Sequence, residues 1–382
     1  MDEIGQDLQE ELQYHLIPIN KKGNELSREE RIHTMTPFLL RWYKKQRRIL
    51  PWRENPIPYY VWVSEIMLQQ TRVEAVKPYF ERFIQTLPEI RSLAKVEEEV
   101  LLKLWEGLGY YNRARNLKKT AQIVMEQFGG KLPDNYEKLL TLPGIGSYTA
   151  GAIASIAYGI PVPAVDGNVL RVFSRLMADN RDILNQSVKK ELEMLLKENM
   201  PKKEAAAFNQ ALMEIGAMVC LPNGEPKCME CPLSPFCQAH AYKTELQYPV
   251  KKAKKKRRVE ERTVLLICRH GTEFVLEKRE EKGLLAGLYE FPNFLGSFSE
   301  EETKQYLKGH GLALKKIVPL GFAKHIFSHV EWHMAGYEVE VEEIKDRKAD
   351  LLFVELEKLR VEYPIPNAFA AYKKHLGLLE SK

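Results

Sequence analysis

Two carboxylates, Glu65 and Asp166, stand in surroundings that suit acid chemistry. Glu65 lies in Val61-Trp62-Val63-Ser64-Glu65-Ile66-Met67-Leu68-Gln69-Gln70-Thr71-Arg72, and on a helix its neighbours three and four residues away are Val61, Trp62, Leu68 and Gln69. Three of those four are apolar or aromatic. A carboxyl placed there loses hydration and its pKa rises, which is what a general acid working near neutral pH requires. Asp166 sits in Val165-Asp166-Gly167-Asn168, eighteen residues after Tyr148 of the stretch Leu142-Pro143-Gly144-Ile145-Gly146-Ser147-Tyr148-Thr149-Ala150. Gly144 and Gly146 around one apolar residue make a tight turn with bare backbone amides, able to hold a phosphate, and the small residues 149–157 pack as a close helix. Taken singly, Glu65 reads as a glutamate on a helix face and Asp166 as an N-cap. Together, a protonated acid and an ionised carboxylate on either side of a C–N glycosidic bond are the groups that glycoside cleavage needs. The stretch reads as a helix-hairpin-helix followed by a catalytic aspartate.

A second constellation is the cysteine set. Four of the five cysteines, Cys220, Cys228, Cys231 and Cys237, are spaced C-x7-C-x2-C-x5-C, and only Cys268 lies apart. An odd, clustered set argues for a reducing compartment and metal ligation rather than disulfides. Spacing alone leaves zinc and a [4Fe–4S] cluster both open, since each accepts four thiolates. Either would have a structural role, presenting the loop 227–237 to phosphates. Two further groups suit insertion into a duplex: Gln69-Gln70-Thr71, and the glycine-rich Gly107-Leu108-Gly109-Tyr110-Tyr111-Asn112-Arg113. Enzymes that act on a base unstack it, and side chains of this kind fill the gap. His325, His329 and His333 recur every four residues, but the β pattern around them argues against a helix and hence against a metal.

The elements that must position these groups fall into two kinds. Helical periodicity with Gly or Pro between segments predicts helices over 29–46, 59–70, 73–86, 97–106, 113–128, 136–140, 148–158, 167–177, 188–199 and 204–218, an all-α domain over 29–240. A basic linker, 241–262, follows; its 251–258 run reads as solvated. From 263 the pattern turns to β, with strands over 263–269 and 273–279 joined through His270-Gly271-Thr272, a capping box at Ser299 opening a helix to about 308, strands near 316–320 and over 330–341, and a helix over 367–375. Residues 263–382 therefore form an α+β domain.

Composition sets the outer bounds. The 382 residues are enough for two or three domains, with 45% hydrophobic content and a net charge of only +5. Residues 1–28 read as an acidic, polar tail without a secretory signal, and the longest apolar run, 150–165, is broken by Pro161 and Pro163. A cytoplasmic, nucleoid-associated monomer is expected for a bacterial source.

With these residues in place, the chain from about Met35 onward resembles the MutY-type adenine DNA glycosylases, on Leu-Pro-Gly-Ile-Gly-Ser-Tyr-Thr-Ala, Val-Asp-Gly-Asn-Val, Val-Ser-Glu-Ile-Met-Leu-Gln-Gln-Thr and Gly-Leu-Gly-Tyr-Tyr-Asn-Arg-Ala-Arg-Asn together. The resemblance implies an all-α helix-hairpin-helix domain with an iron–sulfur cluster loop, followed by an α+β Nudix-like domain that reads 8-oxoguanine. It implies that Glu65 protonates adenine N7, that Asp166 stabilises the sugar cation, that Asn168 orients Asp166, and that Tyr148 supports the pair. It makes Gln70 and Tyr110 wedges around the lesion partner, Gly144 and Gly146 the phosphate turn, and Cys220, Cys228, Cys231 and Cys237 the ligands of a [4Fe–4S] cluster. The first cysteine interval is seven residues where the family's usual interval is six. In the second domain Gly283-Leu284-Leu285-Ala286-Gly287-Leu288 is similar to the Nudix-like Leu-Ala-Gly-Leu segment, and Phe327-Ser328-His329 stands where the damage-sensing loop would be. No Arg-Glu-x-x-Glu-Glu stretch follows, so metal-dependent diphosphate hydrolysis is not expected. The implied substrate is duplex DNA carrying adenine opposite 8-oxoguanine. Two other readings are an endonuclease III-like glycosylase and lyase, against which Tyr148 stands in the Schiff-base lysine position, and a non-catalytic damage-binding protein.

Overall fold

The computed structural model describes residues 25–252, 256–309, 311–342 and 351–378. The expected tail up to residue 24 and residues 253–255 of the expected linker lie outside the described residues. Two compact units divide the chain. One runs to Ala94 and resumes at Asn116 as far as the linker; the other takes Lys95–Arg115 together with the chain beyond the linker. Residues 95–115 lie inside the stretch 29–240 that periodicity reads as one helical domain, and nothing local in them marks a contact with residues more than two hundred positions away.

The first unit is helical. Its helices are α1 (Arg28–Gln46), α2 (Pro51–Glu54), α3 (Pro58–Leu68), α4 (Val73–Thr86), α5 (Ile90–Lys95), α7 (Asn112–Gln127), α8 (Tyr136–Leu140), α9 (Ser147–Ala152), α10 (Gly167–Leu176), α11 (Gln186–Asn199), α12 (Ala205–Met218) and α13 (Gln238–Ala241), with α6 (Glu98–Leu104) in the other unit. The start of α1 is set by a capping box in which Ser27 Oγ accepts from the Glu30 amide at 3.1 Å and the Ser27 amide donates to Glu30 Oε2 at 2.8 Å. Ile32, Met35 and Leu39 of α1, Val169, Val172, Phe173 and Leu176 of α10, and Phe208, Ala211, Leu212 and Ile215 of α12 recur at three and four residues and close into one core. Each such large side chain contributes roughly 1.5–3 kcal/mol on burial.

The helix expected over 148–158 is α9 followed by a π-helical turn, Ile153–Ala157. Small residues are required here, since a Cβ on Gly151 would lie 2.2 Å from the Pro163 carbonyl oxygen. Buried Asn209 fixes the extended return that leads to Asp166: its amide donates to Val162 O at 2.9 Å and Ser155 Oγ at 2.8 Å, and its Oδ1 accepts from the Ala164 amide at 3.1 Å. The helix expected to start at Glu29 starts at Arg28, and the short helices α2 and α5 went unread because four and six residues carry too little periodicity.

The second unit is built on a sheet of order β3-β2-β1-β6-β5, with β4 pairing β1 and β7 pairing β2. The strands are β1 (Arg258–Arg269), β2 (Glu273–Lys278), β3 (Tyr289–Glu290), β4 (Asn293–Leu295), β5 (Ala313–Ile326), β6 (Val330–Glu342) and β7 (Leu352–Glu355), with helices α14 (Glu300–Gly309), α15 (Leu356–Val361) and α16 (Ala370–His375). β1 begins inside the expected linker, paired in parallel with β6 from Arg258↔Val330 to Arg269↔Val341. Its inner run alternates between two cores, Val264, Leu266 and Cys268 facing one side and Leu265 and Ile267 the other. A strand buried on both faces reads as a continuous apolar run, as this one does. β5 is longer than expected, with a register shift between Leu320 and Ala323 that interrupts its alternation. Among the described residues, no helix is long and apolar enough to cross a membrane.

Candidate active site

In the first unit the two carboxylates share one buried neighbourhood. Glu65, on α3, is 5% exposed, and the Tyr148 hydroxyl at the start of α9 donates to its Oε2. Burial drives the Glu65 pKa up to about 7, while the Tyr148 bond and the positive charge of Arg53 restrain it and the negative charge of Asp166 adds to the rise. Tyr148 is itself held far above its ordinary range, first by burial and then by the charges of Glu65 and Asp166, so it remains a neutral donor.

Asp166 caps α10. Its Oδ1 accepts from the Val169 amide at 2.8 Å and its Oδ2 from Asn168 Nδ2 at 2.7 Å. Burial raises its pKa, and these N–H donors with Arg171 pull in the opposite direction. Both oxygens therefore act as acceptors from nitrogen, the pattern that suits a carboxylate anion. Asn168 is fixed in turn, because Arg171 Nη2 donates to its Oδ1 at 3.0 Å and to the Gly216 carbonyl at 2.7 Å. Gly216 allows the close approach of α12, since a Cβ there would fall 2.6 Å from Asn168 Cβ.

Around the acids stand residues that the sequence did not single out. Glu214, 1% exposed, accepts from Arg48 Nε at 2.9 Å, Arg48 Nη2 at 2.6 Å and Arg53 Nη2 at 3.0 Å. This bidentate pair with a second arginine holds Arg53 where its charge reaches Glu65. Met213 Sδ lies 3.8 Å from the Tyr148 hydroxyl. Arg53 and Glu214 are 161 positions apart, so no local pattern could have joined them. Arg171 was accessible to a helical reading, three residues after Asn168 on the same face.

The hairpin has the expected form. Gly144 takes φ +76°, a left-handed conformation that favours glycine, and Gly146 is the extended N-cap of α9. Gln70, just past α3, also has positive φ, at +64°. In the second unit the chain at Tyr110 adopts φ +50° and the side chain is 53% exposed, with its hydroxyl 3.3 Å from Ser328 Oγ. The Phe327 amide donates to Val330 O at 2.9 Å, closing the β5–β6 turn, and the Phe327 ring packs on Trp332 at 4.9 Å. His329 lies in that turn, its carbonyl accepting from the Arg258 amide at 3.2 Å. Thus Glu65, Tyr148, Asp166 and Asn168 come together in one unit, and Tyr110 and Ser328 in the other.

Residues 63–198 match the HhH-GPD superfamily base excision DNA repair protein family, and residues 263–375 match the NUDIX domain. An adenine DNA glycosylase of Buchnera aphidicola subsp. Schizaphis graminum (strain Sg) is 37% identical over 305 residues, 79% of this chain and 86% of that protein. The adenine DNA glycosylase of Rattus norvegicus is 34% identical over 362 residues, 80% of this chain and 70% of that protein. The chain belongs to the adenine DNA glycosylase family. Its activity is that of a DNA N-glycosylase of base excision repair that releases adenine. Among solved structures, a thermostable thymine-DNA glycosylase superposes with a TM-score of 0.50 at 29% identity, covering 56% of this chain and 97% of that one. The helix-hairpin-helix domain followed by a Nudix-like mixed sheet is thus the fold that the family resemblance implied.

In this family member the four clustered cysteines line one cavity of about 410 Å3, its open mouth included, together with Arg175, Lys227, His240 and Glu245. Burial pushes the Cys228 and Cys231 thiols up to about 12 and Cys237 up to about 11, so these three sulfurs ionise there only with a cation among them. Cationic support is already in place. Arg175 Nη1 donates to Cys220 Sγ at 3.2 Å, Arg171 Nε donates to Cys220 O at 2.9 Å, and buried Arg31 donates to Phe236 O. The donor set and the cavity fit a thiolate-bound metal centre. Cys228, His240 and Glu245 also have ligand atoms within 4.8 Å of one another, with His240 Nδ1 and Glu245 Oε1 paired at 2.7 Å.

Proposed function

We propose that this adenine glycosylase acts on adenine opposite 8-oxoguanine, with Glu65 as the acid and Asp166 as the stabilising anion. Adenine is flipped out of the stack into the site, which costs a few kcal/mol. Glu65 gives its proton to adenine N7, the C1′–N9 bonding pair leaves with the base, and adenine departs neutral. Asp166 carries the resulting oxocarbenium-like sugar until water adds to C1′ and gives up a proton, which restores the Glu65 acid. Asn168 and Arg171 keep Asp166 aimed, and Tyr148 keeps Glu65 aimed. The observation that carries this reading is the pairing of a buried carboxyl titrating at about 7 with a second carboxyl whose two oxygens both accept from N–H groups.

Ser328 and His329, with Phe327 behind them, are the groups offered to 8-oxoguanine, Tyr110 is a wedge of the same unit, and Gln70 is a wedge of the first unit. Gly144 and Gly146 supply amides to a phosphate. Cys220, Cys228, Cys231 and Cys237 would hold a [4Fe–4S] cluster, which would brace the loop that they span. The test is single-turnover base release from duplexes carrying adenine opposite 8-oxoguanine, guanine and thymine, together with an iron count. Fastest release opposite 8-oxoguanine and about four irons per chain are expected; equal rates opposite all three partners, or zinc in place of iron, would overturn the corresponding half of the reading.

A further inference from the structure

A lysine side chain is almost never buried without a partner, yet Lys373 on α16 is only 4% exposed. Its ammonium donates to the Glu106 carboxylate and, at 3.1 Å, to the Ile365 carbonyl. The other Glu106 oxygen lies 2.6 Å from Lys103 Nζ, which also donates to Tyr363 O at 2.9 Å. One residue further on, the Gly107 carbonyl accepts from Asn367 Nδ2 at 3.0 Å. At the far end of the same turn, Arg115 Nη2 donates to Ala286 O at 2.7 Å while its Nε pairs with Glu98 at 2.6 Å. The turn is also stiff within itself: Arg113 Nη2 donates to Leu108 O at 2.9 Å and Gly109 O at 3.0 Å, and Trp105 Nε1 donates to Gly109 O at 3.2 Å. Tyr110 rides at its tip.

We propose that Lys373, Glu106, Lys103 and Asn367 are positioning residues that fasten residues 107–113 to the body carrying Ser328, so that wedge and lesion-reading serine meet the oxidised base as one preset surface. This rests on the 8-oxoguanine reading above and explains why 95–115 groups with the second unit. A turn pinned at both ends cannot re-aim Tyr110 independently of Ser328. The geometry at 3.3 Å between their oxygens is therefore set before DNA arrives.

The test compares single-turnover adenine release opposite 8-oxoguanine and opposite guanine in Lys373→Met and in the milder, solvent-exposed Asn367→Ala. The preference for 8-oxoguanine should fall about tenfold in the first and about threefold in the second, with release opposite guanine within about twofold of the parent. In a Tyr110→Ala background, Asn367→Ala should cost nothing more, because its effect passes through that tyrosine. An unchanged preference in Asn367→Ala, or an equal loss on both duplexes that adds fully to Tyr110→Ala, would overturn the proposal even if Lys373→Met fails to fold. A parent chain without preference for 8-oxoguanine would instead sink the reading beneath it.

Discussion

The carboxylate pair and the proposed reading face treat water in opposite ways. Glu65 is 5% exposed and its proton affinity is set by what surrounds it, whereas Tyr110 is 53% exposed and only its direction is controlled. At the first, burial against Tyr148 and the offsetting charges of Arg53 and Asp166 do the chemical tuning. At the second, backbone tethers and a left-handed φ hold a side chain out toward solvent. The proposed proton donor is desolvated, and the proposed base-reading group is reachable. The contrast predicts that substitutions at the acids change rate and pH dependence, and substitutions at the reading face change substrate preference.

The largest effect is expected at Glu65. Glu65→Gln should slow single-turnover adenine release by about 10^3-fold or more while fluorescence anisotropy shows DNA binding retained. The same variant should be more stable than the parent at alkaline pH. The folded chain keeps the Glu65 proton up to about pH 7, whereas an unfolded glutamate gives it up near 4.5, so this group's contribution is fully present below 4.5 and lost as pH rises through about 7. Removing that penalty is worth about 3 kcal/mol above pH 8 by thermal or urea unfolding. A parent and variant of equal stability there would mean that Glu65 is not desolvated.

Next comes the charge that tunes the acid. Glu214→Gln leaves Arg48 and Arg53 without their buried carboxylate, at a cost of about 3–5 kcal/mol in unfolding free energy. With the Arg53 charge less compensated, the Glu65 pKa should drop and the alkaline limb of the rate profile should move to lower pH. Gly216→Ala forces its methyl against Asn168 Cβ and should reduce the rate about tenfold with binding intact, measured by single-turnover release. The smallest effect is on the other side of the comparison. Ser328→Ala should lower the preference for 8-oxoguanine over guanine by about fivefold, the size of one exposed hydrogen bond, without moving the pH profile.

What the sequence revealed follows the same division. Glu65 with its apolar neighbours, and Asp166 with Asn168, could be read because helical spacing and capping act over three or four residues. Arg53, Glu214 and Asn209 could not, since each acts through a partner brought up by folding. Glu106 and Lys373 are 267 positions apart, so no local pattern joins them either. The β5 irregularity hid most of that strand, and two- to four-residue strands such as β3, β4 and β7 carry no period to detect. The four clustered cysteines lie within eighteen residues of one another, and they line one cavity.

The central claim is that a single desolvated carboxyl supplies the proton on which adenine departs. Single-turnover release from duplexes carrying adenine opposite 8-oxoguanine, followed from pH 5.5 to 9, tests it most directly. The account predicts a rate that declines tenfold per pH unit once above about 7, and its loss at every pH in Glu65→Gln. A flat profile across that range, or a Glu65→Gln chain as fast as the parent, would contradict it.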